Sequence, residues 1–304
     1  MKKMKRREFL KKSLASVGGL VLTANLSRAQ QQQHTAFFDP YESAALGKSG
    51  LKGSRLCFGT GMKGWMRQSN QTRLGVEVFH ALIRAAYERG VRLFDLADLY
   101  GTHQHIAAAL KDMPRDSYSL ITKLWWRPNG VPEKERPDAD VVLARFLKEL
   151  NTDYIDVLLL HCVVSADWPT ELSTYMQALN SLKKKGLIRA HGVSCHSIPA
   201  LETAAAESWV DSVNTRINPY GIKMDGPAEK VAPVLEKLHA AGKGVVGMKI
   251  LGEGTFADDD KKKNDSIRYV LTLGCVDTLN VGFESPQQID DFASRVKKVP
   301  RNTT

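Results

Sequence analysis

Apolar and polar positions follow two alternating patterns along most of the chain. From about residue 50, short apolar runs alternate with longer segments in which apolar residues recur at helical spacing. The run at residues 154–162 is almost continuously apolar, which is typical of a strand buried on both faces of a parallel sheet. The segment at residues 71–89 has helical spacing and stops at Gly90, a residue that commonly ends helices.

Read in this way, the sequence predicts eight strand–helix units. The predicted strands are residues 55–62, 93–97, 119–125, 154–162, 188–195, 210–217, 245–251 and 278–283. The predicted helices are residues 71–89, 106–111, 138–150, 171–185, 199–207, 228–241, 260–272 and 286–297. Eight such units in about 250 residues are typical of an α/β fold of the (β/α)8 TIM-barrel type.

A doubly wound sheet is the alternative architecture. Residues 59–64 read GTGMKG, which matches the G-x-G-x-x-G turn of dinucleotide-binding sheets. No Asp or Glu ends a second strand as a ribose-binding residue would, and the glycine pattern alone is weak. The barrel is therefore favoured.

The amino-terminal segment predicts export. Residues 5–11, KRREFLK, resemble the bacterial twin-arginine signal, and the apolar stretch at 14–26 is shorter than a membrane span. Small residues at Ser27 and Ala29 suit cleavage after Ala29. We therefore predict a signal peptide at 1–29, a spacer at 30–46, the barrel at 47–298 and a tail at 299–304, with the twin-arginine machinery as a partner and a periplasmic destination. The alternative is a basic amphipathic first helix.

Composition and charge add few constraints. The 304-residue chain is 43% hydrophobic and 25% charged, which excludes a disordered or membrane-embedded protein. Residues 1–29 hold eight Lys or Arg and one Glu, so they carry +7 of the formal net charge of +10 and leave +3 on the rest. Because the basic excess lies in the predicted signal, the charge does not predict nucleic-acid binding. No other segment is apolar over about 20 residues, so no stable membrane span is predicted.

The four cysteines predict buried thiols. Cys57, Cys162, Cys195 and Cys275 form no C-x-x-C pair and are too few for a disulfide scaffold. No H-E-x-x-H or similar ligand spacing occurs, so no metal site is predicted.

Four polar residues fall at neighbouring strand ends. Asp95 lies late in the second predicted strand, and Tyr100 follows in the next loop. Lys123 ends the third strand and His161 ends the fourth. Each could have a purely structural role. However, a barrel builds its chemistry at the carboxyl ends of its strands, so together the four predict an active site.

This group suits proton donation to a carbonyl. A free phenol has a pKa of about 10, and a nearby ammonium such as that of Lys123 is expected to lower the pKa of Tyr100. The Asp95 carboxylate would hold the ammonium in place, and the His161 imidazole would orient the carbonyl. The set could protonate a carbonyl oxygen while a hydride reaches the carbon.

The chain resembles the aldo-keto reductase family over residues 47–298. The resemblance rests on GKSGLKGSRLCFGTG near the start, FDLADLYG, the ITK strand end, YIDVLLLH and IRAHGVS. It implies that Tyr100 is the general acid, that Lys123 and Asp95 tune it, and that His161 positions the carbonyl. It also implies an NAD(P)(H) cofactor bound without a Rossmann domain.

The resemblance also implies a set of cofactor residues. The resemblance implies that Ser194 holds the carboxamide of the nicotinamide. It also implies that Asn214 stands where the family has Gln, and that Met248 replaces an aromatic ring that stacks on nicotinamide. Gly282 and Gln288 stand where the family has phosphate-binding Lys and Arg, so a strong preference for NADP over NAD is not expected. The implied cofactor residues are Ser194, Cys195, Asn214, Met248, Lys249, Leu251, Gly282 and Gln288.

Four tryptophans are candidates for substrate contact. Trp65, Trp125, Trp126 and Trp168 follow predicted strands or lie at their ends. Aromatic faces suit sugar rings or aromatic carbonyls, although packing within loops explains them equally well.

The sequence as a whole predicts an exported oxidoreductase of aldo-keto reductase type acting on a carbonyl or alcohol substrate. One alternative is a non-catalytic family member that binds a nucleotide as a partner or sensor. Another is a barrel lyase or isomerase that uses Tyr100 and Lys123 without a nicotinamide.

Overall fold

The computed structural model describes residues 36–301. The predicted signal peptide, residues 30–35 of the spacer and residues 302–304 of the tail lie outside this range. The strands are β1 (Ser43–Ala45), β2 (Lys52–Ser54), β3 (Leu56–Gly59), β4 (Leu93–Asp95), β5 (Ser119–Leu124), β6 (Ile155–Val163), β7 (Ile188–Cys195), β8 (Ser212–Arg216), β9 (Gly244–Met248) and β10 (Thr278–Gly282).

Helices follow the barrel strands in the predicted order. They are α1 (Val76–Glu88), α2 (His103–Ala109), α3 (Ala139–Leu150), α4 (Trp168–Glu171), α5 (Ser173–Lys184), α6 (Ile198–Ala206), α7 (Ala228–Ala240), α8 (Asp260–Thr272) and α9 (Pro286–Val296). The helix predicted at 171–185 begins earlier, at Trp168, and is interrupted at Leu172. None of the helices in residues 36–301 has the length and apolar character needed to cross a membrane.

Strands β3 to β10 form a closed parallel barrel, which confirms the predicted fold. Around the barrel the order is β10-β3-β4-β5-β6-β7-β8-β9. Closure comes from β10 and β3, which pair in register from Leu279 with Leu56 to Gly282 with Gly59. Every barrel strand runs in the same direction, so all carboxyl ends lie at one mouth.

An amino-terminal hairpin closes the opposite end of the barrel. Strands β1 and β2 pair antiparallel, and the turn between them packs Leu46 and Leu51 against inward-facing barrel residues such as Leu93. The Lys48 amide donates to the Gly242 carbonyl oxygen at 2.7 Å, just before β9 begins. The interior is therefore sealed at the amino ends of the strands, and only the carboxyl ends open to solvent. The spacer predicted at 30–46 thus includes strand β1.

Candidate active site

A buried ion pair lies at the carboxyl ends of β4 and β5. These strands are neighbours, with Asp95 in register with Ile121, two residues before Lys123. The Lys123 ammonium donates to Asp95 Oδ2 at 2.6 Å and to the Leu96 carbonyl oxygen at 2.7 Å. The Lys123 side chain is completely buried. An ammonium is stable at such depth only when an anion and further acceptors surround it, as they do here.

Asp95 also connects the two sides of the barrel. Its Oδ1 accepts a hydrogen bond from Asn214 Nδ2 at 2.8 Å, and Asn214 is on β8, four strands away from β4 in the eight-stranded barrel. This contact therefore crosses the interior. Asn214 Oδ1 is buried and has no partner among the described residues. It is a free acceptor that suits a carboxamide N–H group.

Two glycines make room for the Tyr100 ring. A Cβ atom at Gly61 would lie 2.2 Å from the ring, and one at Gly64 would lie 2.3 Å from it. Tyr100 ends a 3-10 turn formed by Asp98–Tyr100 and is followed by Gly101 with a φ of 66°. The glycines of GTGMKG therefore shape the barrel mouth around a tyrosine, and the segment is not the turn of a doubly wound sheet.

Two arginines hold the loop that carries Tyr100. Arg67 Nε donates to one oxygen of Asp98 at 3.0 Å, and Arg145 donates to the other at 2.8 Å. Asp98 is buried, so both ion pairs are shielded from solvent better than surface pairs are. Together they fix the start of the turn and hence the position of Tyr100.

The Tyr100 hydroxyl and the His161 ring face each other. The hydroxyl oxygen is 3.4 Å from His161 Nε2, and the two rings meet edge to face at 5.6 Å between centroids. The Lys123 ammonium lies 5.0 Å from the centre of the Tyr100 ring. Two donors 3.4 Å apart can both reach one oxygen atom placed between them at normal hydrogen-bond length. The pair therefore forms a candidate site for a carbonyl oxygen.

Burial dominates the pKa of Tyr100. The phenol pKa is raised well above its ordinary value, first by burial and then by the negative charge of Asp95. This direction is opposite to the one expected from Lys123, because burial and the Asp95 carboxylate both raise the pKa. The phenol is consequently protonated at neutral pH and can act as a donor.

His161 is held neutral and in place. Its pKa is lowered well below its ordinary value by burial, then by the charge of Lys123 and by His196 and Arg127. The Trp126 indole N–H donates to the His161 carbonyl oxygen at 2.8 Å. A neutral imidazole carries one N–H group, so it can donate a hydrogen bond to a substrate oxygen.

A cavity of about 470 Å³ extends from this group along the ends of β9 and β10 to helices α8 and α9. Asp95 and Tyr100 lie at its inner end. Five of the predicted cofactor residues line it: Met248, Lys249, Leu251, Gly282 and Gln288. A cavity that runs from the catalytic group to two helices fits a nicotinamide dinucleotide. Asn214 does not line it directly but is bonded to Asp95, which lies at its inner end.

A sequence profile of the Aldo/keto reductase family matches residues 55–294 of this chain. The chain belongs to the aldo/keto reductase family. This match confirms the family resemblance found in the sequence. Members of this family are oxidoreductases that use NAD(P)H.

Similar curated family members include methylglyoxal reductase DkgB of Salmonella typhimurium and aldo-keto reductase YhdN of Bacillus subtilis. The first is 33% identical over 158 residues, covering 49% of this chain and 55% of that protein. The second is 28% identical over 239 residues, covering 74% and 69%. The match to the methylglyoxal reductase thus spans about half of that protein's length. A solved aldo-keto reductase, AKR11C1 from Bacillus halodurans, has a TM-score of 0.67 at 22% identity over 86% of this chain and 93% of that chain, which shows the shared fold.

One of the predicted cofactor residues of this family member lies differently from expectation. Cys195 is fully buried in the core layer between barrel and helices, so its side chain does not reach the cavity, and its prediction as a cofactor contact is wrong. The Ser194 hydroxyl accepts a hydrogen bond from the Cys162 amide at 2.8 Å. Cys162 adopts a φ of 60° within an irregularity of β6, which turns its amide away from the strand ladder.

Three of the cations along the cavity are already paired. Lys249 bonds Glu253 at 2.5 Å, Lys263 lies 2.9 Å from Asp260, and Arg295 contacts Asp260 and Asp291. Their charge is therefore largely matched by carboxylates. Gln288 accepts a hydrogen bond from the Glu284 amide at 2.7 Å and caps the start of α9.

The tryptophans divide into two groups. Trp65, which is 50% exposed, meets Trp125 edge to face at 6.1 Å, and Trp125 meets the His161 ring at 5.3 Å. This row leads from solvent to the site. Trp168 is completely buried and donates to the Ala200 carbonyl oxygen on α6, so its prediction as a substrate residue is wrong.

Sequence reasoning missed Arg127, His196 and Arg216. Arg216 ends β8 and His196 directly follows β7, while Arg127 follows β5 by three residues. Each thus follows the same rule that located Lys123 and His161, a polar residue at the carboxyl end of a strand. In the described part of the chain, no group of three or more His, Cys, Asp or Glu is placed to hold a metal ion.

Proposed function

We propose that this protein is an NAD(P)-dependent carbonyl reductase in which Tyr100 is the general acid. The observation that carries the proposal is the Tyr100 hydroxyl, 3.4 Å from His161 Nε2, at the inner end of the cavity that fits a dinucleotide. The buried Lys123–Asp95 pair lies directly behind it. A relative sharing a third of its aligned residues is named as a methylglyoxal reductase, which supports a small carbonyl substrate.

In the proposed reaction, two residues act on the carbonyl group of the substrate. A bound nicotinamide would supply the hydride that reaches the carbonyl carbon. Tyr100 donates its proton to the carbonyl oxygen, which becomes the alcohol hydroxyl, and solvent then restores the phenol proton. The neutral His161 ring orients the carbonyl oxygen by a hydrogen bond, and Asn214 holds the carboxamide of the cofactor. Alcohol oxidation is the same path in reverse.

Steady-state kinetics with both reduced cofactors tests this function. We expect consumption of NADH and NADPH with aldehyde substrates at kcat/KM values within about tenfold of each other, because the cations along the cavity are paired and Gln288 is uncharged. Mass spectrometry of the purified chain should detect bound dinucleotide. Dinucleotide binding without turnover would instead favour a sensor or partner role, and an absence of binding would favour a lyase or isomerase.

A charge added at the start of α9 should change the cofactor preference. Gln288→Arg places a cation in the cavity near Glu284, and we expect a shift of about 10- to 100-fold toward NADPH in the ratio of kcat/KM values, the usual range for a charged hydrogen bond. Gln177→Arg on the exposed face of α5 adds the same charge outside the cavity and serves as the control. A wild-type preference of a hundredfold for NADPH would contradict this account.

We further propose that the chain is exported by the twin-arginine route after folding around its cofactor. A bound dinucleotide stabilises only the folded state, which suits a route that carries folded proteins. Arg6→Lys with Arg7→Lys should leave a precursor in the cytoplasm, whereas Lys2→Arg with Lys3→Arg should be exported normally. Cell fractionation measures both. A periplasmic double-lysine variant would contradict the route, and a mature periplasmic protein without dinucleotide would contradict co-export.

A further inference from the structure

Three cations surround the barrel mouth beside the Tyr100–His161 pair. Arg127 follows β5, Arg216 ends β8 and Lys249 directly follows β9. Between them lie Cys162 and His196, at the ends of β6 and β7, whose Sγ and Nε2 atoms are 3.4 Å apart. Burial lowers the pKa of His196 to about 3, and the charges of Arg216, Lys249, Lys123 and Arg127 contribute to the same shift. His196 is therefore neutral and adds no further charge.

Two of these cations have carboxylate partners. Arg216 Nη1 is 3.0 Å from Asp225 Oδ1, and the side chain of Asp225 is buried. Arg216 Nη2 contacts His196 Nδ1, which leaves Arg216 Nε buried without a partner among the described residues. Lys249 is paired with Glu253. Lys123 at the centre of the site is likewise matched, by Asp95.

Arg127 is different because no carboxylate in residues 36–301 lies within ion-pair distance of its guanidinium group. Its guanidinium carbon lies 5.0 Å from the centre of the Trp126 ring, and its Nε atom is buried without a hydrogen-bond partner in that part of the chain. Trp126 in turn bonds the His161 carbonyl oxygen. Arg127 is partly buried and has therefore lost part of its hydration. No carboxylate of the described residues compensates for this loss.

The dinucleotide does not account for this charge. Arg127 and Arg216 do not line the cofactor cavity, which runs from Tyr100 to α8 and α9. Arg127 lies instead against Trp126, whose indole N–H donates to the His161 carbonyl oxygen. The row of contacts from the exposed Trp65 through Trp125 to His161 reaches this place from solvent, so we infer that an anion arriving there would be part of the substrate.

We propose that the physiological substrate is a carbonyl compound that carries a carboxylate, and that Arg127 binds this carboxylate. Arg216 Nε offers a second donor from the opposite side of the mouth. A planar guanidinium can hold a carboxylate through two parallel hydrogen bonds, which fixes the substrate and directs its carbonyl group toward Tyr100. The inference rests on the proposed reductase function and specifies its substrate class.

Matched acid and ester substrates test the proposal. We would use 3- and 4-carboxybenzaldehyde and their methyl esters with the full chain and NADPH or NADH. The esters keep the ring and aldehyde but lack the charge. We expect the wild-type kcat/KM to be about 10- to 100-fold higher for an acid than for its ester, as a charged hydrogen bond predicts. The difference should appear mainly in KM.

Variants of Arg127 then assign the preference. Arg127→Gln should reduce the acid-to-ester ratio to near one, while Arg127→Lys should retain part of it because the charge remains. Arg84→Gln on α1 removes an arginine far from the mouth and should leave the ratio unchanged. An acid-to-ester ratio that is the same in Arg127→Gln as in the wild type would overturn the inference while leaving the reductase function intact.

A binding measurement separates this inference from the proposed function. Calorimetry with 3- and 4-(hydroxymethyl)benzoate and their methyl esters requires no turnover. Tighter binding of an acid that is lost in Arg127→Gln would support the carboxylate site even if no carbonyl compound were reduced. Equal binding of acids and esters, or no binding of either, would overturn the site whether or not the esters are reduced.

Discussion

Tyr100→Phe is expected to lose carbonyl reduction by about 10²- to 10⁴-fold in kcat, the range typical of general acid catalysis. The substitution removes the proton donor and leaves the ring. Because Gly61 and Gly64 contact that ring, packing at the barrel mouth should be preserved. Steady-state kinetics with a reactive aldehyde measures the loss, and cofactor titration followed by tryptophan fluorescence should show nearly unchanged binding.

The same change on α5 provides the control. Tyr175→Phe removes a hydroxyl from a half-buried tyrosine outside the barrel and should retain wild-type activity. Burial also keeps the Tyr100 phenol protonated, so reduction by the wild type should not decline until the pH passes the ordinary tyrosine value of about 10. Full activity in Tyr100→Phe would exclude the phenol as the acid and leave His161 as the donor.

The barrel could be predicted because each of its units leaves a local signature. Strand β6 is apolar on both faces and reads as a buried strand without any knowledge of its neighbours. Helix α1 ends two residues before Gly90, close to its predicted end. Because all strands of such a barrel run in the same direction, Asp95, Lys123 and His161 at the carboxyl ends of their strands lie at one mouth of the barrel.

The local sequence predicts neither the amino-terminal hairpin nor the buried position of Trp168. Strands β1 and β2 contain three residues each, SAA and KGS, and neither has an apolar run that a pattern search could find. Trp168 follows a strand in sequence but begins a helix, and its ring turns toward α6. Sequence position gives the loop that carries a residue but not the direction of its side chain.

Other features depend on contacts between distant segments. The bond from Asn214 to Asp95 joins residues separated by 119 positions and occurs only because the barrel closes. The pKa of Tyr100 depends on burial by several strand ends and on the negative charge of Asp95. The residue types alone predicted a lowered pKa for Tyr100, whereas the packing of the folded protein raises it.

Lys123→Met should lower the free energy of unfolding by about 3–5 kcal/mol, which is the usual cost of removing one partner of a buried ion pair. The cost arises because the Asp95 carboxylate is buried and would keep only Asn214 as a partner. The variant should also lose most of its reductase activity, because the carboxylate charge would then raise the pKa of Tyr100 without opposition. Urea unfolding and steady-state kinetics measure the two effects, and Lys148→Met on the exposed face of α3 controls for the loss of a lysine.

Adding Asp95→Asn to Lys123→Met separates stability from catalysis. The double variant contains no unpaired buried charge, so it should recover much of the lost stability. It should not recover activity if the charged pair itself is needed beside Tyr100. A single variant as stable as the wild type would contradict the importance of the buried pair at 2.6 Å, since Asp95 is only 4% exposed and would lose its counter-charge. Recovery of both properties in the double variant would show that the pair serves the fold and that the phenol works without its charge.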